Sequence, residues 1–170
     1  MNIFVTNEDP CLSAYCLPDK HIVKMPLECC QMLAVVFSKW YHNIGPIFKE
    51  DGSAYNVEKG AFRNHPCTKW VAASDHNIQW LIQHGIALCE EYTYRYDKVH
   101  SCEKSLRLAG ILYPHGCPED HTDFARAMPD EYKLDTSIST FDAYKMYIAS
   151  KPWVKDNYLR KPERKPDWIE

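Results

Sequence analysis

The sequence predicts a mainly α-helical fold: two long helices, shorter ones and long loops, in a single domain spanning residues 1–170. Three observations carry this. Apolar residues recur at three- and four-residue steps over about 20–40 and 67–96. Alternating apolar and polar runs are few, so no β-hairpin is expected. Hydrophobic residues make up 45% of the chain and charged residues 25%, a balance that supports one packed core and excludes a disordered or fibrous chain.

The elements follow in order. Ile3-Phe4-Val5 is a short apolar segment, read as a strand or an anchored arm, closed by the turn-like Asn7-Glu8-Asp9-Pro10. Asp19 is placed to cap a helix over about Lys20 to Trp40, bent at Pro26. Residues 43–66, rich in Gly, Pro, Asn and Ser, read as a loop long enough to carry function. Asn64-His65-Pro66 opens a second long helix, about Cys67 to Tyr96, with Glu91 and Arg95 as an i,i+4 pair near its end. Shorter helical segments are expected at Glu103 to Ala109, Phe124 to Met128 and Thr140 to Ala149, with a break at Tyr113–Pro118.

Charge and composition narrow the function. Twenty Lys+Arg against 23 Asp+Glu leave a net charge of −3, so no global positive field draws the chain to duplex DNA. Residues 151–165 nevertheless hold Lys151, Lys155, Arg160, Lys161, Arg164 and Lys165 against Asp156 and Glu163. This segment is +4 and the rest of the chain −7. Trp153 and Tyr158 lie among these cations, a combination suited to phosphate contact and base stacking, and equally to a solvated tail. No apolar run approaches membrane-spanning length and no signal-peptide layout opens the chain, so a cytoplasmic location is expected. None of the eight cysteines has zinc-knuckle spacing, and they are read as reduced, mostly structural thiols. No metal and no cofactor is expected.

The first helix carries the sharpest chemical signal. At 100° per residue His21, Lys24, Glu28 and Gln31 share a narrow stripe on a helix that is otherwise apolar, so the stripe faces either a cleft or solvent. On the second helix Ser74, Asn77 and His84 share a face, and Asn77 and His84 repeat the seven-residue spacing of His21 and Glu28. Arg63, Asn64 and His65 precede that helix at its anion-attracting end, where Asn64 also suits a simple cap.

Asp19-Lys20-His21-Ile22-Val23, with Glu28 seven residues after the histidine, resembles the first helix of the bacteriophage pyrimidine-dimer DNA glycosylases of the endonuclease V type. Lys151-Pro152-Trp153 followed by Tyr158 is similar to that family's closing segment. Asn64-His65-Pro66-Cys67 and Ala127–Tyr132 also resemble phage proteins of this type, which implies a phage source and an infected host cell as the location. The resemblance implies a compact helical domain that flips a base and attacks the sugar C1′ with its N-terminal amine, Glu28 assisting the Schiff-base and elimination steps. It implies a small second residue, so that the initiator Met is removed; here Asn2 stands there, with a bulk that opposes removal. The positions of the family's DNA-gripping arginines hold Leu27 and Gln31.

These departures and the acidic balance favour a glycosylase-like fold that binds a small nucleotide-type ligand, with sequestration of a host immune signalling nucleotide as one purpose. His21, Lys24, Glu28 and Gln31 would form the wall, Arg63, Asn64 and His65 the phosphate side, Asn77 and His84 a facing row, and Trp153 and Tyr158 the stacking surface. The alternative is a DNA glycosylase/lyase on duplex DNA acting through the terminal amine and Glu28. The third is an enzyme cleaving a small nucleotide through Glu28 and His21. A homo-oligomer is compatible with all three.

Overall fold

The computed structural model describes residues 1–170 and contains helices with no named strands. The helices are α1 (Pro10–Tyr15), α2 (Asp19–Phe37), α3 (Gly60–Arg63), α4 (Pro66–Ala72), α5 (Asp75–Tyr96), α6 (Glu103–Leu112), α7 (Asp130–Lys133) and α8 (Thr140–Ala149). A cluster of 35 buried hydrophobic residues runs from Ile3 to Ile169. Helices α2 and α5 form its centre, flanked by α1, α4 and α6. Helices α2, α5 and α6 approach closely at Gly85 of α5, where a Cβ would stand 2.7 Å from Leu106 of α6 and 3.3 Å from Cys29 of α2. No helix is long and apolar enough to cross a membrane.

Several sequence expectations shift in instructive ways. Helix α2 begins at Asp19 itself, after Pro18, because the Asp19 carboxylate turns away to Arg95 and to the Arg160 N–H. It runs through Pro26 and ends at Phe37, where the Ser38 hydroxyl bonds back to the Val35 carbonyl. The stretch expected as one helix from Cys67 to Tyr96 is two. Ser74 adopts an extended backbone (φ −158°, ψ 159°) and its hydroxyl accepts the Asn77 N–H, so it starts α5 rather than sharing its face. The cap of α4 is likewise not Asn64 but His65, whose Nδ1 accepts the Cys67 N–H at 3.1 Å.

Phe124 to Met128 is not helical. Its backbone is claimed by distant side chains: Tyr144 donates to the Ala125 carbonyl and accepts the Ala127 N–H, and Asn2 donates to the Ala127 carbonyl. Tertiary hydrogen bonds thus override the local pattern. Within the long loop, Asp51-Gly52 makes a tight turn closed by Lys49 N–H to Ser53 O and Tyr55 N–H to Ile47 O, a small hairpin-like feature not expected from the sequence. The opening segment is an anchored arm, with Ile3 and Val5 buried and Phe4 between them at φ +57°.

Candidate active site at the start of the chain

Helix α2 sorts its polar stripe by depth. Its exposed edge consists of Lys20, Val23, Lys24 and Leu27, with Gln31 half-buried, whereas His21 and Glu28 turn inward and are buried. Val23 and Leu27 are therefore solvent-facing, and the four polar groups form no single row.

Glu28 receives the start of the chain. Its Oε2 accepts the Asn2 N–H at 2.7 Å and lies 3.8 Å from the Met1 amine, while Oε1 is 3.0 Å from Lys24 Nζ. The Met1 side chain is only 2% exposed and its sulfur accepts the Thr68 hydroxyl at 3.4 Å. The residue as a whole is half-buried, so what it shows to solvent is its main chain. His65 lies close enough to feel both charges: burial first, then the positive charge of the Met1 amine, lower its pKa, and Glu28 opposes them.

Asn2 explains why this arm has the shape it does. Its Oδ1 accepts the N–H of Ile3 (2.8 Å) and of Phe4 (3.1 Å), and its Nδ2 donates to the Ala127 carbonyl at 2.6 Å. The side chain thereby holds Phe4 in the left-handed region, a conformation that costs a non-glycine residue on the order of 1–2 kcal/mol. A small residue at position 2 would leave the Phe4 turn without this clamp.

His21, two turns before Glu28 on α2, sits beneath that turn. Phe4 stacks on it at 4.1 Å and Trp153 meets it edge-on at 5.7 Å. Its Nδ1 is buried without a hydrogen bond. Burial first, then the charges of Lys151 and Lys24, lower its pKa to about 3, so at neutral pH it is an uncharged aromatic ring. Tyr147 stacks on the same Phe4, Lys20 lies over Trp153 at 4.5 Å, and Lys151 lies over Tyr147 at 3.9 Å. A carboxylate–amine cluster thus adjoins an aromatic cluster fringed with cations.

The other residues singled out from sequence lie elsewhere. Asn77 is buried and fully bonded: it donates to the Trp70 carbonyl and Thr122 hydroxyl and accepts the Thr122 N–H. His84 stacks on Trp80 with Nδ1 2.9 Å from the Pro10 carbonyl, and burial lowers its pKa to about 4. Arg63 lies 3.9 Å over the Trp40 ring, and its carbonyl accepts the Tyr41 hydroxyl. Asn64 is exposed at the end of α3. Tyr158 is buried, donating to the Cys16 carbonyl at 2.6 Å. The basic C-terminal segment packs on the protein's own surface, with Arg160 over Tyr96, Lys161 over Tyr94, and Arg164 over Tyr15 and Tyr94.

An amine beside a carboxylate, approached from an aromatic wall, is the equipment of Schiff-base chemistry on a nucleoside. The family model described as pyrimidine dimer DNA glycosylase matches residues 1–104, more than half of the chain, and includes Met1, Asn2, Glu28, His65 and Thr68. The chain belongs to the pyrimidine dimer DNA glycosylase family. No curated protein and no solved structure matches it. Within this member of the family, the residues that sequence reasoning underrated are Met1, Asn2, Phe4 and Thr68. Ile3 and Val5, the apolar neighbours of Phe4, were the available signal that this arm is anchored in the core.

Proposed function

We propose that the protein acts on the base–sugar bond of a nucleotide through the Met1 amine, with Glu28 as its proton-transfer partner. The observation that carries this reading is the burial of Glu28 against the chain start, its Oε2 2.7 Å from the Asn2 N–H and 3.8 Å from the Met1 amine. The unprotonated amine attacks C1′, the N-glycosidic bond breaks and the base leaves, and opening of the sugar ring gives an iminium on the terminal nitrogen. Glu28 then takes the C2′ proton, the C3′–O bond breaks and the 3′-phosphate departs with the bonding electrons, leaving an unsaturated iminium that water hydrolyses to free the amine. Phe4 and Trp153, backed by the buried neutral ring of His21, supply a stacking surface for the base. The negative net charge, and Leu27 and Gln31 on the outer edge of α2, support a small or single-stranded nucleotide over duplex DNA.

Borohydride trapping tests the chemistry. Incubation with single-stranded and duplex oligonucleotides bearing an abasic site, followed by borohydride, is expected to give a covalent adduct that peptide mass spectrometry places on Met1. Absence of an adduct on either substrate overturns the reading.

A second reading is favoured by the buried Met1 side chain, which makes the first residue a packing element as well as an amine. On this reading the pocket holds a nucleotide without turnover, and a phage would use it to sequester a host immune signalling nucleotide. Incubation with a nucleotide mixture, followed by denaturation, separates the two: recovery of an unaltered nucleotide supports holding, and recovery of a free base supports the enzyme.

A further inference from the structure

The first turn of α4 packs on the start of the chain. There the Thr68 hydroxyl donates to the Met1 sulfur at 3.4 Å, and the Cys67 thiol lies 4.0 Å from the Asn2 Oδ1. His65 caps that turn, three residues before Thr68. The cap also fixes where the proton of its ring lies. Nδ1 accepts the Cys67 N–H at 3.1 Å and so carries no proton of its own, which leaves the proton on Nε2. That Nε2–H donates to nothing within the chain, and the ring is only half-buried. Burial, and then the positive charge of the Met1 amine, hold the pKa below its ordinary 6.5, so at neutral pH the ring is an uncharged donor.

Breaking the bond between C1′ and N1 of a pyrimidine sends the electron pair into the base, where the adjacent O2 carries part of the charge. A hydrogen-bond donor aimed there lowers the barrier. The other polar groups around the chain start are committed. Glu28 faces the Met1 and Lys24 amines and accepts the Asn2 N–H, which makes it an acceptor. The Asn2 side chain spends its oxygen on Ile3 and Phe4 and its nitrogen on Ala127. The Thr68 hydroxyl is taken by the Met1 sulfur, and His21 Nδ1 is buried. The donor left free is His65 Nε2–H.

We propose that His65 Nε2–H donates a hydrogen bond to O2 of a departing pyrimidine base, a role that rests on the reading of Met1 and Glu28 given above. The C1′–N1 bond breaks as the Met1 nitrogen bonds to C1′, and its electron pair passes to N1 and O2 of the base. Nε2 keeps its proton throughout and only shares it with O2. The base then takes its proton from water. An uncharged imidazole whose other nitrogen is fixed by the backbone is suited to polarising a carbonyl in this way. A substrate with a carbonyl beside the glycosidic nitrogen, a pyrimidine rather than a purine, is the class this donor fits.

Borohydride trapping of the full chain on two single-stranded probes tests the role. An oligonucleotide with an abasic site has no base to lose, whereas an oligothymidylate with a UV-formed pyrimidine dimer has. His65→Asn keeps an acceptor near the place of Nδ1 for the Cys67 N–H and ends short of Nε2. It is expected to lower the rate of adduct formation with the dimer probe by about a hundred-fold, while the rate with the abasic probe stays within about two-fold of the wild type. His65→Ser, capped by its hydroxyl, is read the same way should His65→Asn fail to fold. Equal loss on both probes in both variants, or no loss on the dimer probe, overturns the role of His65 and leaves the Met1–Glu28 reading standing. A wild-type chain that forms an adduct with the abasic probe alone also overturns it, and one that forms no adduct at all overturns both.

Discussion

Two buried glutamates organise this molecule, and they are used in opposite ways. Glu91 on α5 is enclosed by arginines: Arg95 Nε at 2.8 Å and Arg164 Nε at 2.8 Å both reach its Oε1, and Arg164 also reaches Oε2 at 3.1 Å. Arg95 continues to Asp19 and to the Leu17 and Tyr15 carbonyls. This network ties the C-terminal segment and the start of α2 to α5. Glu28 on α2 is held instead by amines, those of Met1 and of Lys24, and by one backbone N–H. A guanidinium keeps its proton throughout and serves only as a fixed charge, whereas an amine can give up its proton and attack. On the proposed reading, the difference in partner, not in the depth of the carboxylate, separates a structural joint from a reactive one.

The largest consequence falls on stability. Glu91→Ala leaves Arg95 buried without its main partner and is expected to cost about 3–5 kcal/mol, with release of the C-terminal segment. Glu28→Gln keeps an acceptor for the Asn2 N–H and is expected to cost about 1 kcal/mol. In activity the order reverses: Glu28→Gln should lower turnover by about a hundred-fold or more. Urea unfolding of both variants, with parallel turnover assays, measures the crossing. If Glu28→Gln destabilises as much as Glu91→Ala, the chain-start pocket is a structural joint as well.

Acid should distinguish the two regions next. His21, beside the chain start, has its pKa lowered to about 3, and the buried His84 to about 4, both from an ordinary 6.5. For a depressed histidine the unfolded chain binds the proton more tightly, so the contribution to stability is present above about pH 6.5 and is lost as pH falls toward the folded values. By pH 5 each should have removed about 2 kcal/mol, read as a fall in the urea midpoint between pH 7 and 5. His21→Phe should remove its share of that pH dependence while keeping the stack on Phe4. An unchanged pH slope in this variant would mean that His21 is not buried in the folded chain.

Legibility in the sequence followed the range of the interactions. The helical class, the limits of α8 and the Glu91–Arg95 pair depend on neighbours three or four residues apart, and the sequence shows such neighbours directly. The His21 to Glu28 spacing and the family resemblance pointed to the carboxylate that receives the chain start. What stayed hidden is long-range. Asn2 looked like a departure from a pattern, yet its role depends on Ala127, 125 residues away. The basic segment looked available for phosphate because nothing in its own run of residues shows that Glu91, Tyr94 and Tyr15 take up Arg164. The Phe124–Met128 stretch failed for the same reason, since Tyr144 occupies its backbone groups.

A middle-sized effect concerns the clamp. Asn2→Ala removes the acceptor for two N–H groups and the donor to Ala127, and is expected to cost about 2 kcal/mol. It also frees Phe4 from its strained turn, which recovers part of that loss. A small residue at this position favours removal of Met1, which would bring the new terminal amine to the place now held by the Asn2 N–H, 2.7 Å from Glu28. Mass spectrometry of the purified variant shows whether Met1 has gone. Faster borohydride trapping in the Met1-free form would show that distance to Glu28 limits the amine.

The smallest effect on stability carries the finest chemical distinction. Lys24 is 68% exposed and 3.0 Å from Glu28, so its ion pair is worth about 0.5 kcal/mol or less, and Lys24→Met should barely move the urea midpoint. Its ε-amine is nonetheless a second nitrogen within reach of the same carboxylate, and it competes with Met1 for the role of nucleophile. If the adduct survives in Lys24→Met at a rate within about two-fold of the wild type, the nucleophile is the terminal amine and Lys24 only balances charge. If the adduct disappears while the fold is intact, the attacking nitrogen is Lys24. Glu28 would then serve an internal lysine, and the buried Met1 side chain would be a plug that closes the pocket rather than the residue that opens the chemistry.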